Sequence, residues 1–190
     1  MIITISAVID ACVLYSAPLR DFLLRLAFAG LIHPLWSEEI RDEWFYRLLQ
    51  NRPDLKREKL DRTCREMDTH FPNSLVRGYE SITPTLQLPD PKDQHVLAAA
   101  IQSKAKYIVT FNLDDFPSSV LAPYQIEAIS PDDFVLQVIK YDAEKFIDTV
   151  ARHRSVLTRP TKTVDEYLAT LEKQGLPRTA AFLREHKDEI

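Results

Sequence analysis

The chain has 190 residues, 45% of them hydrophobic, and a formal net charge of −4. That length suits one domain, or one domain with a helical appendage, and the charge gives no global sign of a nucleic-acid partner. With only 3 glycines and 2 cysteines, Cys12 and Cys64, far apart, the sequence offers neither a glycine-rich phosphate loop nor a zinc or disulfide framework. Ile2–Ile9 lacks a basic start and is too short for a leader or a membrane span, so the expectation is a cytoplasmic protein with reduced thiols and no membrane contact.

The first predicted element is a strand over Ile2–Ile9, with Asp10 where it stops. Pro18–Gly30 reads as a helix with Leu19, Phe22, Leu23, Leu26 and Ala27 on one stripe and Gly30 as its stop. A short strand over Ile32–Trp36 follows. Ser37 then caps a helix whose first turn carries Glu38 and Glu39, favourable at its positive end, and whose packed stripe is Ile40, Trp44 and Leu48. Glu43, beside that stripe, points towards the rim of the sheet. A basic helix over 54–71 comes next, and the segment 74–88 has no clear assignment, broken as it is by Pro84.

The central unit is Leu88–Phe116. Asp90 reads as a cap with Pro91 at the first helical position, and the run from Val96 to Ile101 makes a helix apolar on most faces, hence deeply packed. Tyr107–Phe111 is a buried strand, and Asn112, Asp114 and Asp115 sit beyond its carboxyl end. Ile126–Ile129 is a last strand, and Pro131 starts a helix. Beyond about Tyr141 the pattern is purely helical, with a final helix running to about His186. Alternating strands and helices indicate an α/β fold, a doubly wound parallel sheet flanked by helices, with residues 1–140 as the main domain and 141–190 as a helical extension.

Ligands in such sheets sit outside the carboxyl ends of the strands. This fold brings Asp10, Glu43, Asp93 and Asp115 to one rim, with Asn112 near them. Hard oxygen donors suit Mg²⁺ or Mn²⁺, and clustered carboxylates are strained until a cation neutralises them. Each residue also has a plain role: Asp93 serves the helix dipole, Glu43 a solvated surface, Asn112 a left-handed loop, and Cys12 a packed thiol. Only the combination stands above these. Two basic runs add local charge. Residues 47–65 hold seven cations against three acids, and residues 149–162 hold Arg152, Arg154, Arg159 and Lys162 with no acid. Either can track a phosphate backbone or simply be solvated.

The segments VIDACVLYS, WSEEIRDEW, DPKDQHVLAAAI and YIVTFNLDDF resemble the ordered motifs of the PIN domain, specifically the VapC-type toxin ribonucleases. The resemblance covers about residues 3–135 and implies a PIN-like fold with catalytic acids at Asp10, Glu43, Asp93 and Asp115. Of these, Asp10, Asp93 and Asp115 would hold metal, supported by Thr110 and Asn112. Asn112 stands where many members carry another aspartate, which leaves the second metal position open. The resemblance implies a Mg²⁺-dependent endoribonuclease, with Mn²⁺ as a substitute, inhibited by a small antitoxin and often a homodimer. RNA would be the substrate, and Arg52, Lys56 and Arg57 would bind its phosphates. Two other readings stand beside it. A phosphoacceptor receiver domain would need an early acidic pair and a lysine after a later strand, whereas Asp10 is solitary after its strand and no lysine is suitably placed. A non-catalytic PIN-like RNA- or protein-binding module would act through the basic runs and the helical tail.

Overall fold

Strand register decides where this chain can do chemistry. The computed structural model describes residues 4–158 and 160–190. The start of the strand predicted from Ile2, and the charge of Arg159 in the second basic run, lie outside the described residues. Strands β1 (Ile5–Ile9), β2 (Ile32–Leu35), β3 (Tyr107–Val109) and β4 (Glu127–Ile129) form one sheet in the order β2-β1-β3-β4. β1 pairs with β3, and β3 with β4, both parallel, with Ile9 opposite Val109 and Val109 opposite Ile129. Strand order reverses between β1 and β3, which makes the carboxyl ends of those two strands the topological switch point. This is the parallel α/β arrangement that the alternating pattern predicts.

Ten α-helices accompany the strands among the described residues: α1 (Ala11–Leu14), α2 (Ala17–Phe28), α3 (Glu38–Asn51), α4 (Arg57–His70), α5 (Gln94–Ser103), α6 (Ser118–Leu121), α7 (Pro131–Tyr141), α8 (Ala143–Ser155), α9 (Val164–Lys173) and α10 (Pro177–Glu185). None is long and apolar enough to cross a membrane. The chain divides into two compact units. Of the described residues, one comprises 6–15 and 34–129; the other comprises 4–5, 16–33, 130–158 and 160–190.

In the first unit the elements follow their local signals closely. Ser37 caps α3 by accepting from the Ile40 amide at 3.1 Å, and Ile40, Trp44 and Leu48 form its buried stripe. Several boundaries differ from expectation. β3 stops at Val109 rather than Phe111, because the Phe111 amide turns from the ladder to the Cys12 sulfur at 3.4 Å. β2 stops at Leu35, and Trp36 instead bridges Leu75 in the stretch that resisted assignment. α4 starts at Arg57 rather than 54, since Arg52 clasps Asp54 across a turn. The central helix is preceded by a 3-10 turn over Pro91–Asp93, capped where Asp90 accepts from the Lys92 amide at 2.9 Å. Its far end closes at Lys104, which takes a left-handed conformation with φ 54.

In the second unit, Gly30 ends α2 with φ 71, a conformation that glycine adopts without strain. Phe22 of α2 meets Phe146 of α8 edge to face at 6.3 Å. His153 bridges Asp21 and Tyr167, 2.9 Å from each. Thr163 and Glu166 form a capping box at the start of α9. The second basic run is largely occupied with structure. Arg154 donates to the carbonyls of Lys162 and Ile190, Lys162 donates to Thr170, and Arg152 pairs with Asp148.

The buried carboxylate of Asp132, in the first turn of α7, fastens α10. It accepts from the Arg178 amide at 2.8 Å, from the Thr179 amide at 2.9 Å and from the Thr179 hydroxyl at 2.7 Å. Removing it would leave the fully buried Thr179 donors without a partner. Asp132→Ala is expected to lower unfolding free energy by about 3 kcal/mol in urea titration, where an exposed acid would change it by less than about 0.5 kcal/mol.

Candidate active site

The register that pairs Ile9 with Val109 sets Asp10 and Thr110 on neighbouring strand ends. The Asp10 amide continues the ladder to Val109 at 3.0 Å, and the Thr110 amide continues it to Ile129 at 3.0 Å. Asp10 is 6% exposed, and burial on that scale demands partners. It has two on one oxygen. The Thr110 hydroxyl donates to Asp10 Oδ2 at 2.6 Å, and the Cys12 thiol donates to the same atom at 3.1 Å. Burial, and then the charge of Asp10, push the Cys12 thiol up to about 12, so it stays protonated and keeps donating. Thr110 in turn accepts from the Asn112 amide at 3.0 Å. Asn112 therefore supports the loop through its backbone. Its φ of −99 is not the left-handed conformation expected of it.

Glu43 is held from the other side. His95, 2% exposed, lies with Nε2 3.2 Å from Glu43 Oε1 and Nδ1 3.8 Å from Glu39 Oε2. Burial pushes the imidazole towards neutrality, but the hydrogen bond to Glu43 and the charges of Glu43, Glu39 and Asp10 outweigh it and raise its pKa. His95 follows Asp93 by two positions and is not among the acids and amides that the sequence singles out. The signal was nonetheless there: a histidine inside a helix otherwise apolar on most faces must find a polar partner.

Asp93 stands at the junction of the 3-10 turn with α5, half-buried. Burial, then the charges of Asp10, Asp115, Asp90 and Glu43 in that order, push its carboxyl up to about 6. All four predicted acids thus lie within one another's field, seen from Asp93. Asp115 closes the 3-10 turn Leu113–Asp115, and Asp114 is exposed. Among the described residues, no group of three or more His, Cys, Asp or Glu side chains is arranged to hold a metal ion. The donor chemistry fits a hard divalent cation, since the carboxylate charge that adds to burial in raising Asp93 is what such an ion offsets.

Two of the three predicted substrate-binding cations face an aspartate of their own. Arg52 is exposed and paired through both nitrogens with Asp54 at 2.8 and 2.7 Å. Arg57 lies over the Phe45 ring at 5.5 Å and 3.9 Å from Asp61, and Lys56 is an exposed residue preceding α4.

The family model of the PIN domain matches residues 6–114, more than half of the chain. The chain belongs to the PIN-domain family. The model of the VapC50 C-terminal domain matches residues 131–185 of this PIN-domain protein. The chain is also 60% identical over 120 residues to the Mycobacterium tuberculosis (strain ATCC 25618 / H37Rv) protein named "Putative ribonuclease VapC50", across 61% of this chain and 70% of that one. The four motifs read from the sequence and these matches agree on the family.

The raised carboxyl of Asp93 makes a thermodynamic signature of this PIN site. Its folded pKa lies above the unfolded value, so the charged form destabilises the fold. Stability attributable to it is present at low pH and falls as pH rises from about 4 to about 6. Asp93→Asn is therefore expected to raise unfolding free energy by about 1 kcal/mol at pH 7, after solvent screening of this half-buried group, and by less at pH 5. Denaturant titration at the two pH values checks both the sign and its pH dependence.

Proposed function

We propose that this PIN-domain chain is an endoribonuclease that hydrolyses RNA phosphodiester bonds with Mg²⁺, Mn²⁺ being an accepted substitute, and that it is the toxin of a toxin–antitoxin pair. The observation that carries the reading is the charge gathered around Asp93, supplied by Asp10, Asp115 and Glu43 from separate elements. In this proposal Asp10, Asp93 and Asp115 hold the ion. When bound, it would make water a stronger nucleophile and neutralise charge developing on the phosphate.

The chain's own groups supply the rest. Thr110 and Cys12 fix Asp10 Oδ2, so its other oxygen would be held in a set orientation for an ion. His95 anchors one oxygen of Glu43 and leaves the second to accept a proton from the attacking water. Arg52, Lys56 and Arg57 attract the phosphates on either side of the cut, tempered by the acids that two of them already face.

The reading includes a cognate antitoxin protein as the partner that silences the site, a homodimer as its assembly, and a cytoplasmic setting. Residues 1–140 act as the nuclease part and 141–190 as a helical extension. Its family and the name of the 60%-identical relative support an RNA substrate, and the carboxylate set supports metal-dependent hydrolysis.

Three assays test this. Purified protein is expected to cleave unstructured RNA with Mg²⁺ and to stop on chelation, and Asp10→Asn and Asp93→Asn to bind RNA without cutting it. Binding without metal-dependent cleavage by the unaltered protein would favour the non-catalytic module. Replacing Arg52, Lys56 and Arg57 together with glutamine is expected to flatten the slope of log affinity against log salt by about 1 to 2, uniformly across sequences. Co-expression with the neighbouring reading frame is expected to recover a complex that does not cleave; a chain harmless on its own and free of any partner would overturn the toxin reading.

A further inference from the structure

The acid rim creates a problem for its own substrate. A polyanion brought to four carboxylates is repelled until a cation arrives, and Arg52 and Arg57 each already face an aspartate. Holding RNA there calls for attraction that carries no charge. The loop after β3 offers it. Phe111 is 46% exposed and Leu113 43% exposed, two of the large apolar side chains that the fold leaves in solvent. Single exposed apolar residues are ordinary, but these two are bracketed by Thr110 and Asp115, both on the rim.

The Phe111 backbone is also fixed. Its amide is tied to the Cys12 sulfur at 3.4 Å, and Thr110 before it is bonded to Asp10 at 2.6 Å. Asn112 after it donates back to Thr110 at 3.0 Å. A ring in solvent on a backbone pinned from both sides is a preorganised flat surface. Among the described residues it makes no ring contact.

We infer that Phe111 is a base-stacking platform: an unpaired nucleobase next to the scissile phosphate lies on its ring, with Leu113 extending the apolar floor. This rests on the ribonuclease reading and adds a specificity-determining residue to it. Stacking accepts every base but grips large ones harder, so a purine at this position is favoured over a pyrimidine. The ring is uncharged, so its contribution persists at salt concentrations that screen the arginines.

The test uses short single-stranded RNAs with Mg²⁺, carrying a purine, a pyrimidine or an abasic residue beside the cut. Phe111→Ala is expected to raise KM about tenfold for the purine substrate with kcat unchanged, and Phe111→Trp to restore it. On the abasic substrate the unaltered protein and Phe111→Ala should share one KM. Since the side chain is exposed, melting temperatures should coincide. A second arm places Phe111→Trp with Asp93→Asn and follows tryptophan fluorescence, expected to be quenched by the purine oligonucleotide and not by the abasic one. An unchanged KM in Phe111→Ala, a loss that persists on the abasic substrate, or absent quenching overturns the inference. Failure of the unaltered protein to cleave any RNA overturns the ribonuclease reading instead, while the fluorescence arm still decides whether a base stacks on residue 111.

Discussion

Parallel pairing of β1 with β3 is the constraint on which the acid-bearing rim of this PIN domain depends. Burial first, and then the charges of Asp10, Asp115, Asp90 and Glu43, push the carboxyl of Asp93 up to about 6. What holds these acids is the backbone. Parallel pairing of β1 with β3 fixes Asp10 against Thr110 through main-chain bonds that the side chains cannot undo. The buried stripe of Ile40 and Trp44 fixes α3 and with it Glu43. The scaffold accepts local strain because its hydrophobic packing is committed elsewhere, which is how functional sites persist against their own energetics.

Donors then make the strain bearable. Asp10 receives a hydroxyl and a thiol on one oxygen, and Glu43 receives the buried imidazole of His95. The same rule governs the other unit, where His153 lies between Asp21 and Tyr167, and Asp132 is saturated by α10. Its consequence differs. In that unit these buried groups are turned inward onto partners and serve cohesion. At the rim Asp10 and Glu43 each take their side-chain donors on one oxygen.

Much of this was legible in the sequence because short-range signals and the fold agreed. Ser37 before Glu38 and Glu39 announced α3, the β-rich run before Asp10 announced β1, and the apolar stretch Val96–Ile101 announced a packed helix. Asp10 stands out in the sequence because it follows a strand and Asp93 because it opens a helix, whereas Glu43 lies inside α3 and Asp115 closes a 3-10 turn. What escaped was set by tertiary partners. No local feature says that Phe111 leaves the ladder for Cys12, that Trp36 pairs with Leu75, or that His95 reaches Glu43 across 52 positions. The cations of the second basic run read as a patch, yet Arg154 is spent on two carbonyls that only the fold brings near. Charge counts along a chain see the sign of a side chain and not its engagement.

The protonated state of Cys12 reaches beyond the hydrogen bond it makes. Thiolate, not thiol, is the species that peroxides, disulfides and alkylating reagents attack, and a group titrating at about 12 supplies almost none near neutrality. A cysteine one turn from the rim is thereby removed from redox chemistry. A more acidic sulfur at the same position would form sulfenic acid more readily and so lose its donation to Asp10. A sulfur-to-oxygen change at this position would retain the donor, so what the sulfur adds is bulk and polarisability against the buried strand ends.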